Sequence, residues 1–532
     1  MAEHPTSDLT KHVQRRGMFA MLRPSATHTA FSATLLLMAS TIASGVLGLV
    51  RTKYIAHLFG AGPVTDAYYA AFQLPDMINY FLVGGVASIS LVTILNRYRQ
   101  ADDEAGGDRA LSVVLNGMLV VLGIGVLIGE IFAPLYTRIA FHQFGPEAAA
   151  LCTSLTRMLL PAQLFWFAGG VLGSKLLVRK IFLYQAVTPV LYNVGIIAGA
   201  VFFSARFGVY SLAIGVVAGA FVGSLLINGF GAYRNGMRYQ AVFNLRDPAF
   251  VEWLRMSLPL MIGVSLTMAD KWILAYFASG DAGGISRMSV AKTLFNAPMG
   301  ILGQAAGAAS LPFFAALFSQ GRLTDFADAV NRSASRVIAV SLLATGWMIA
   351  LASPIVDLIR GGSFSQKDAA ETASYFIIFA VSIALWAAQG FYSRAFYAAG
   401  NTRVPAITGW VVTVVSIPIY SVLFHRMGMV GLAIASDIGI LLLTLTMALQ
   451  LDRRGLVPVS GLEGWELARA TLAAVAGYGG AAACVRYLHL PHGHTGDVLM
   501  IGAGTLCWGA LCFGVLTATG SKLPRQILRR KS

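Results

Sequence analysis

The sequence predicts an all-α polytopic membrane protein of about 14 transmembrane helices, arranged as two pseudo-symmetric six-helix lobes plus two C-terminal helices. Three observations predict it. Apolar residues make up 56% of the 532 and charged residues 12%, about half the charge of a soluble domain. Mean hydropathy is +0.69. Apolar runs of about 20 residues, the length that crosses about 30 Å of hydrocarbon, recur along the whole chain. The same composition excludes other classes. With 31 Phe, 18 Tyr and 8 Trp, the chain carries too much apolar surface to stay disordered. Its four cysteines, Cys152, Cys484, Cys507 and Cys512, sit in apolar segments without framework spacing, so no disulfide scaffold is expected.

Taken in order, the predicted spans are 28–58, 65–96, 110–134, 150–173, 181–204, 208–232, 251–278, 284–318, 329–359, 372–398, 404–424, 429–451, 465–488 and 496–519. The first follows a basic start, Lys11, Arg15, Arg16 and Arg23. It exceeds the roughly 7–15 apolar residues of a signal-peptide core and lacks a small-residue cleavage site, so it is expected to remain as span 1. The domain boundaries that follow are a cytoplasmic N-terminal segment 1–27, an N-lobe 28–235 with spans 1–6 and a C-lobe 250–453 with spans 7–12. Two additional spans occupy 464–519, and a basic cytoplasmic tail covers 520–532. No connection is long enough for an extramembrane domain, so the chain is expected to act within the bilayer or at its surfaces.

The net charge of +15 belongs to short loops rather than to a soluble basic domain, so nucleic acid is not an expected partner. With both termini in the cytoplasm, the inner segments hold 27 Lys and Arg and the outer ones 10, leaving Arg157 and Lys292 within spans. That bias is the positive-inside pattern, and it predicts cytoplasmic termini.

An internal repeat carries more weight than the span count. Lys53-Tyr54-Ile55, then Phe59 and Gly62, recurs as Lys271-Trp272-Ile273, then Phe277 and Gly280, at an offset of 218. Phe72-Gln73-Leu74-Pro75 of span 2 matches Phe295-Asn296-Ala297-Pro298 of span 8. Trp166 with Ser174-Lys175 is echoed by Trp386 with Ser393-Arg394. Each pair is six helices apart, so the copies share one orientation and form parallel repeats about an axis along the membrane normal. Two such halves predict an alternating-access carrier with its site between them. A channel would need a filter sequence, and none is evident.

Ionisable residues at membrane depth are functional candidates, because each costs at least about 2.5–3.5 kcal/mol to insert. Arg51, Lys53 and Asp66 flank the Gly60-Ala61-Gly62-Pro63 turn; Asp270 and Lys271 adjoin on span 7; Lys292 lies on span 8, Arg157 on span 4 and Asp437 on span 12. Arg51, Lys53 and Lys271 lie at repeat-related span ends, and Arg51 and Lys271 are expected to face the opposite half. Arg138, Arg206 and Arg486 are expected to snorkel to the interface. Asp270 beside Lys271 reads as a local ion pair or as a ligand for a coupling ion. Enzyme signals are thin. His57 is expected to face the interface, and His489, His492 and His494 lack acidic or cysteine partners for a metal. No Walker sequence is present, so no cofactor is expected, and transport would draw on the membrane potential or an ion gradient.

Gly45-Val46-Leu47-Gly48-Leu49-Val50-Arg51, Phe59-Gly60-Ala61-Gly62-Pro63, Thr65-Asp66-Ala67-Tyr68 and Phe72-Gln73-Leu74-Pro75 together resemble the opening signature of the MurJ (MviN) family of the MOP exporter superfamily. Ala269-Asp270-Lys271, Ala278-Ser279-Gly280 and Pro298-Met299-Gly300-Ile301-Leu302-Gly303 look like its spans 7 and 8. Phe391-Tyr392-Ser393-Arg394 through Thr402-Arg403-Val404-Pro405 matches its span 10–11 junction. The resemblance covers about 28–519. It implies a lipid II flippase of the bacterial inner membrane that moves an undecaprenyl-pyrophosphate-linked sugar outward for peptidoglycan synthesis, with membrane lipids and cell-wall synthesis proteins as partners. The alternatives are a flippase for another polyprenyl-linked glycan, a MOP-type multidrug exporter, or a non-transporting scaffold or membrane enzyme. Substrate-binding residues would be Arg51, Lys53, Asp66, Lys271 and Lys292, with Asp270 as a coupling-ion candidate.

The resemblance has gaps. A family arginine of span 1 falls at Gly45, another is replaced around Asn79-Tyr80, and the span 8 arginine matches Thr293 with Lys292 beside it. Polar residues associated with sodium in some members fall at Ser416 and Tyr420. The chain is therefore either a divergent paralogue with another lipid-linked substrate, or one in which Lys53, Lys271 and Lys292 supply the cations. Because lysine does not reproduce the two-point grip of arginine on pyrophosphate, poor complementation of a standard lipid II flippase is expected.

Overall fold

A computed structural model describes residues 30–80, 86–261, 266–307, 310–491 and 493–524. The N-terminal Lys11, Arg15, Arg16 and Arg23, together with His492 and the tail from 525 onward, lie outside the described residues. In chain order the helices are α1 (Ala30–Phe59), α2 (Pro63–Ala71), α3 (Gln73–Ile78), α4 (Val86–Gln100), α5 (Glu104–Ala140), α6 (Pro146–Leu159), α7 (Ala162–Val178) and α8 (Leu183–Phe207). They continue with α9 (Tyr210–Ala220), which passes through a π-helical stretch (Phe221–Leu226) into α10 (Ile227–Arg234), then α11 (Pro248–Met261), α12 (Leu266–Ala278), α13 (Gly284–Gly307) and α14 (Ser310–Ser319). The last are α15 (Leu323–Ala350), α16 (Ala352–Asp357), α17 (Gln366–Val381), α18 (Ile383–Ala398), α19 (Arg403–Arg453), α20 (Gly464–Tyr487) and α21 (His494–Ala518).

The predicted all-α membrane class is the observed one. Where described, each predicted span falls on helix, several on two helices in series. Among the described residues eight helical stretches, with α6–α7 and α9–α10 each taken as one, are long and apolar enough to cross a membrane, and the pair α17 and α18, bent by 42°, makes a ninth. Breaks within the spans have identifiable causes. Pro161 separates α6 from α7, as expected for a residue that cannot continue the backbone ladder. The 51-residue α19 is two arms that meet at Gly428, whose φ of 58° no helix contains. This break accounts for the separate predictions at 404–424 and 429–451.

The chain divides into two compact units. Unit 1 comprises Met1–Gly48, Leu74–Ala133 and Leu155–Ile262; unit 2 comprises Leu49–Gln73, Pro134–Ser154 and Gly263–Ser532. Unit 1 has a core of Leu91, Leu111, Val114, Phe167 and Trp253, contributed by α4, α5, α7 and α11. Its most extensively packed helix pair is α8 with α9. A Cβ added at Gly199 would meet the Ser211 carbonyl oxygen at 2.4 Å, and one at Gly195 would meet the Gly215 oxygen at 2.8 Å. Glycines and serine at four-residue spacing on both helices let the backbones touch. Lys175, 5% exposed, is held between Glu104 at 2.7 Å and Asp108 at 2.6 Å. Arg157, predicted within a span, donates from Nε to the Glu130 carbonyl oxygen at 2.9 Å.

Unit 2 packs α15, α18 and the second arm of α19 around Phe314, Phe326, Phe391, Phe396 and Leu443. The C-terminal pair α20 and α21 forms a hairpin whose Ala470, Ala473 and Leu516 close on Ala339 of α15.

Candidate functional site

Two polar arrangements within unit 2 share the helix α13. The first is at its N-terminus. α1 stops at Phe59 because Gly60 takes φ of +67°, and a Cβ there would meet the Ser363 carbonyl oxygen at 2.4 Å. Pro63 then opens α2, where its missing N–H has no partner to lose. One turn on, Asp66 is 2% exposed. Its carboxylate accepts from the backbone N–H of Gly283 at 2.6 Å and of Ser286 at 2.7 Å. A carboxylate from one helix thus caps the positive end of another. Beside it Arg287, 6% exposed, pairs with Asp281 at 2.7 Å, Glu371 at 3.0 Å and Asp368 at 3.2 Å. Asp368 also completes a capping box with Ser365 at the start of α17. The Ser363 N–H donates to the His57 carbonyl oxygen at 2.9 Å, and Gln73 Nε2 donates to the Lys271 carbonyl oxygen at 3.4 Å. The segment Leu49–Gln73 is thereby fastened to α12, α13 and the turn before α17.

The second arrangement lies further along α13. Lys292 Nζ is 2.9 Å from Asp270 Oδ2 of α12 and donates to Ser436 Oγ of α19 at 2.9 Å. It also sits 3.9 Å from the Phe379 ring centroid, 5.6 Å from that of Trp386 and 5.8 Å from that of Phe295. Tyr420 of the first arm of α19 donates its hydroxyl to Asp270 Oδ1. Asp437, one residue beyond Ser436, lies near enough to interact with both Lys292 and Asp270.

The six residues expected at a site therefore separate into groups. Asp66 is occupied as a helix cap. Asp270 pairs with Lys292; successive helical residues point about 100° apart, and Asp270 is buried while its neighbour Lys271 is exposed. Arg51 and Lys53 are half-buried on the last turns of α1, and Lys271 is exposed on α12. Sequence reasoning passes over Arg287, which it counts only as a topology charge, and over Ser436 and the ring cage. The Ser365-x-x-Asp368 capping pattern is the one signal that could draw attention to the Arg287 partners.

Residues 55–504 match the family described as Lipid II flippase MurJ. The chain belongs to the MurJ family. Among MurJ relatives, a probable lipid II flippase MurJ from Thermotoga maritima is 24% identical over 426 residues, spanning 79% of this chain and 86% of that one. One from Rhizobium tropici is 25% identical over 486 residues, spanning 88% and 89%. A solved structure of lipid II flippase MurJ in an inward closed conformation superposes with a TM-score of 0.75 at 20% identity, covering 91% of this chain and 99% of that one. A MATE-family multidrug resistance transporter of the MOP superfamily, facing inward, gives 0.63 at 19% identity, covering 79% and 98%. At such identities the structural likenesses carry the fold alone. As a MurJ-family member the chain is a multi-pass membrane transporter.

Proposed function

We propose that this chain is a lipid II flippase of the inner membrane, moving an undecaprenyl-pyrophosphate-linked sugar from the inner to the outer leaflet by alternating access. The observation that carries the reading is the family match over residues 55–504, supported by relatives that the chain spans almost end to end. Physical requirements agree with it. A pyrophosphate headgroup needs cations along its path, and the repeat-related pair Lys53 and Lys271, with Arg51 beside Lys53 on α1, are the candidates. Asp66 and Lys292 take other tasks, the first holding α2 against α13 and the second neutralising Asp270.

Both termini lie in the cytoplasm in this reading, as the distribution of Lys and Arg requires. Negative potential inside then favours outward movement of the anion by about 2.3 kcal/mol per charge per 100 mV. Enzymes that make and polymerise the wall precursor are the expected protein partners. The deciding experiment is reconstitution of the purified chain in vesicles with fluorescently labelled lipid II and with lipid-linked sugars of other headgroups. Translocation of lipid II above protein-free vesicles is expected. Movement of another lipid-linked sugar with none of lipid II would replace the substrate assignment.

A further inference from the structure

The cluster joining α12, α13 and α19 is built around a positive charge. Asp270 is 5% exposed, and Oδ1 of Asp437 is enclosed with no hydrogen-bond partner among the described residues. A carboxylate such as that of Asp270 is costly at membrane depth unless a cation accompanies it. The cation present is the ammonium of Lys292. Oxygens of Asp270 and Ser436 approach it at 2.9 Å, and the ring centroids of Phe379, Trp386 and Phe295 lie 3.9–5.8 Å from it. Oxygen acceptors facing aromatic faces are the surroundings in which an ammonium is held best. The surrounding groups come from α12, α13, α17, α18 and both arms of α19, so one charge holds together helices distant in sequence.

We propose that the Lys292 ammonium is a built-in monovalent cation for this pocket, and that its removal creates a binding site for a dissolved one, an alkylammonium or an alkali cation. In the native chain Asp270 then requires no ion from solution. On the flippase reading, this leaves the membrane potential rather than a cation gradient at this pocket to drive transport.

The test uses the full chain in lipid nanodiscs. Thermal unfolding is followed at constant ionic strength in choline, sodium, lithium and methylammonium chloride. The wild type is expected to unfold at the same temperature in all four. Lys292→Ala is expected to unfold earlier in choline and to be restored, in a saturable manner, by methylammonium or an alkali cation. Lys292→Met/Asp270→Asn, which removes both members of the ion pair, is expected to be more stable in choline than Lys292→Ala and indifferent to the salt. A wild type whose midpoint follows the cation, or a Lys292→Ala protein that ignores every cation, overturns the proposal. So does a Lys292→Ala protein recovered folded in no salt while the double variant folds normally. A double variant no better than Lys292→Ala overturns the charge-balance argument. Loss of lipid II movement in sodium-free vesicles, with the unfolding results as expected, would instead count against the transport consequence and leave the pocket assignment standing.

Discussion

Asp66→Asn isolates the contact that ties α2 to α13. The carboxylate accepts two backbone hydrogen bonds, at 2.6 Å from Gly283 and 2.7 Å from Ser286, and is 2% exposed. Hydrogen bonds to a charged acceptor contribute about 1.5–3 kcal/mol each. Asparagine keeps the shape and one acceptor, but turns an NH2 group toward the second N–H donor. One bond is lost and a buried donor is left without a partner. The expected loss is therefore about 1.5–3 kcal/mol, a factor of roughly 10–150 in any equilibrium that opens this contact. The measurement is unfolding in detergent or nanodiscs, alongside hydrogen exchange of the first turn of α13. Glu147→Gln, at an exposed acid in the first turn of α6, serves as a control expected to change stability by less than about 0.5 kcal/mol. The α13 terminus should exchange faster in Asp66→Asn and stay unchanged in the control. If the two variants unfold and exchange alike, Asp66 does not cap α13 and its carboxylate is available for another role.

Gly199→Val should separate α8 from α9, since even its Cβ would lie 2.4 Å from the Ser211 carbonyl oxygen. Overpacking against backbone should exceed the usual cost of about 1–3 kcal/mol, read as a lower unfolding midpoint and a poor yield of folded protein. Arg51→Ala should abolish lipid II movement with the midpoint unchanged, and Arg51→Lys should restore it only in part, because a lysine cannot grip pyrophosphate at two points. Full transport by Arg51→Ala would leave Arg51 an interface residue. Gly45→Arg should improve complementation of a lipid II flippase deficiency, poor in the unmodified chain. A Cβ at Gly45 meets no atom within 4 Å, so the helix accepts a side chain there, and strong complementation by the unmodified chain would refute the need for the arginine.

Much of this protein was legible in the amino-acid order because it depends on local composition. Spans are set by runs of apolar residues that must satisfy their own backbone in lipid, so the predicted segments fall on helix wherever they are described, and Gly428 divides the pair predicted at 404–424 and 429–451. The repeat of Lys53-Tyr54-Ile55 as Lys271-Trp272-Ile273 and the MurJ signature are likewise written in order and spacing. The partners of charged side chains were not, because they come from helices far apart in sequence. Asp66 meets Gly283 across 217 positions, Lys292 meets Ser436 across 144, and Tyr420 meets Asp270 across 150. Adjacency suggested Asp270 with Lys271. The turn of the helix puts Lys271 at the surface and Asp270 inside, where only the packing of α13 and α19 against α12 supplies its cation and its hydroxyl donor.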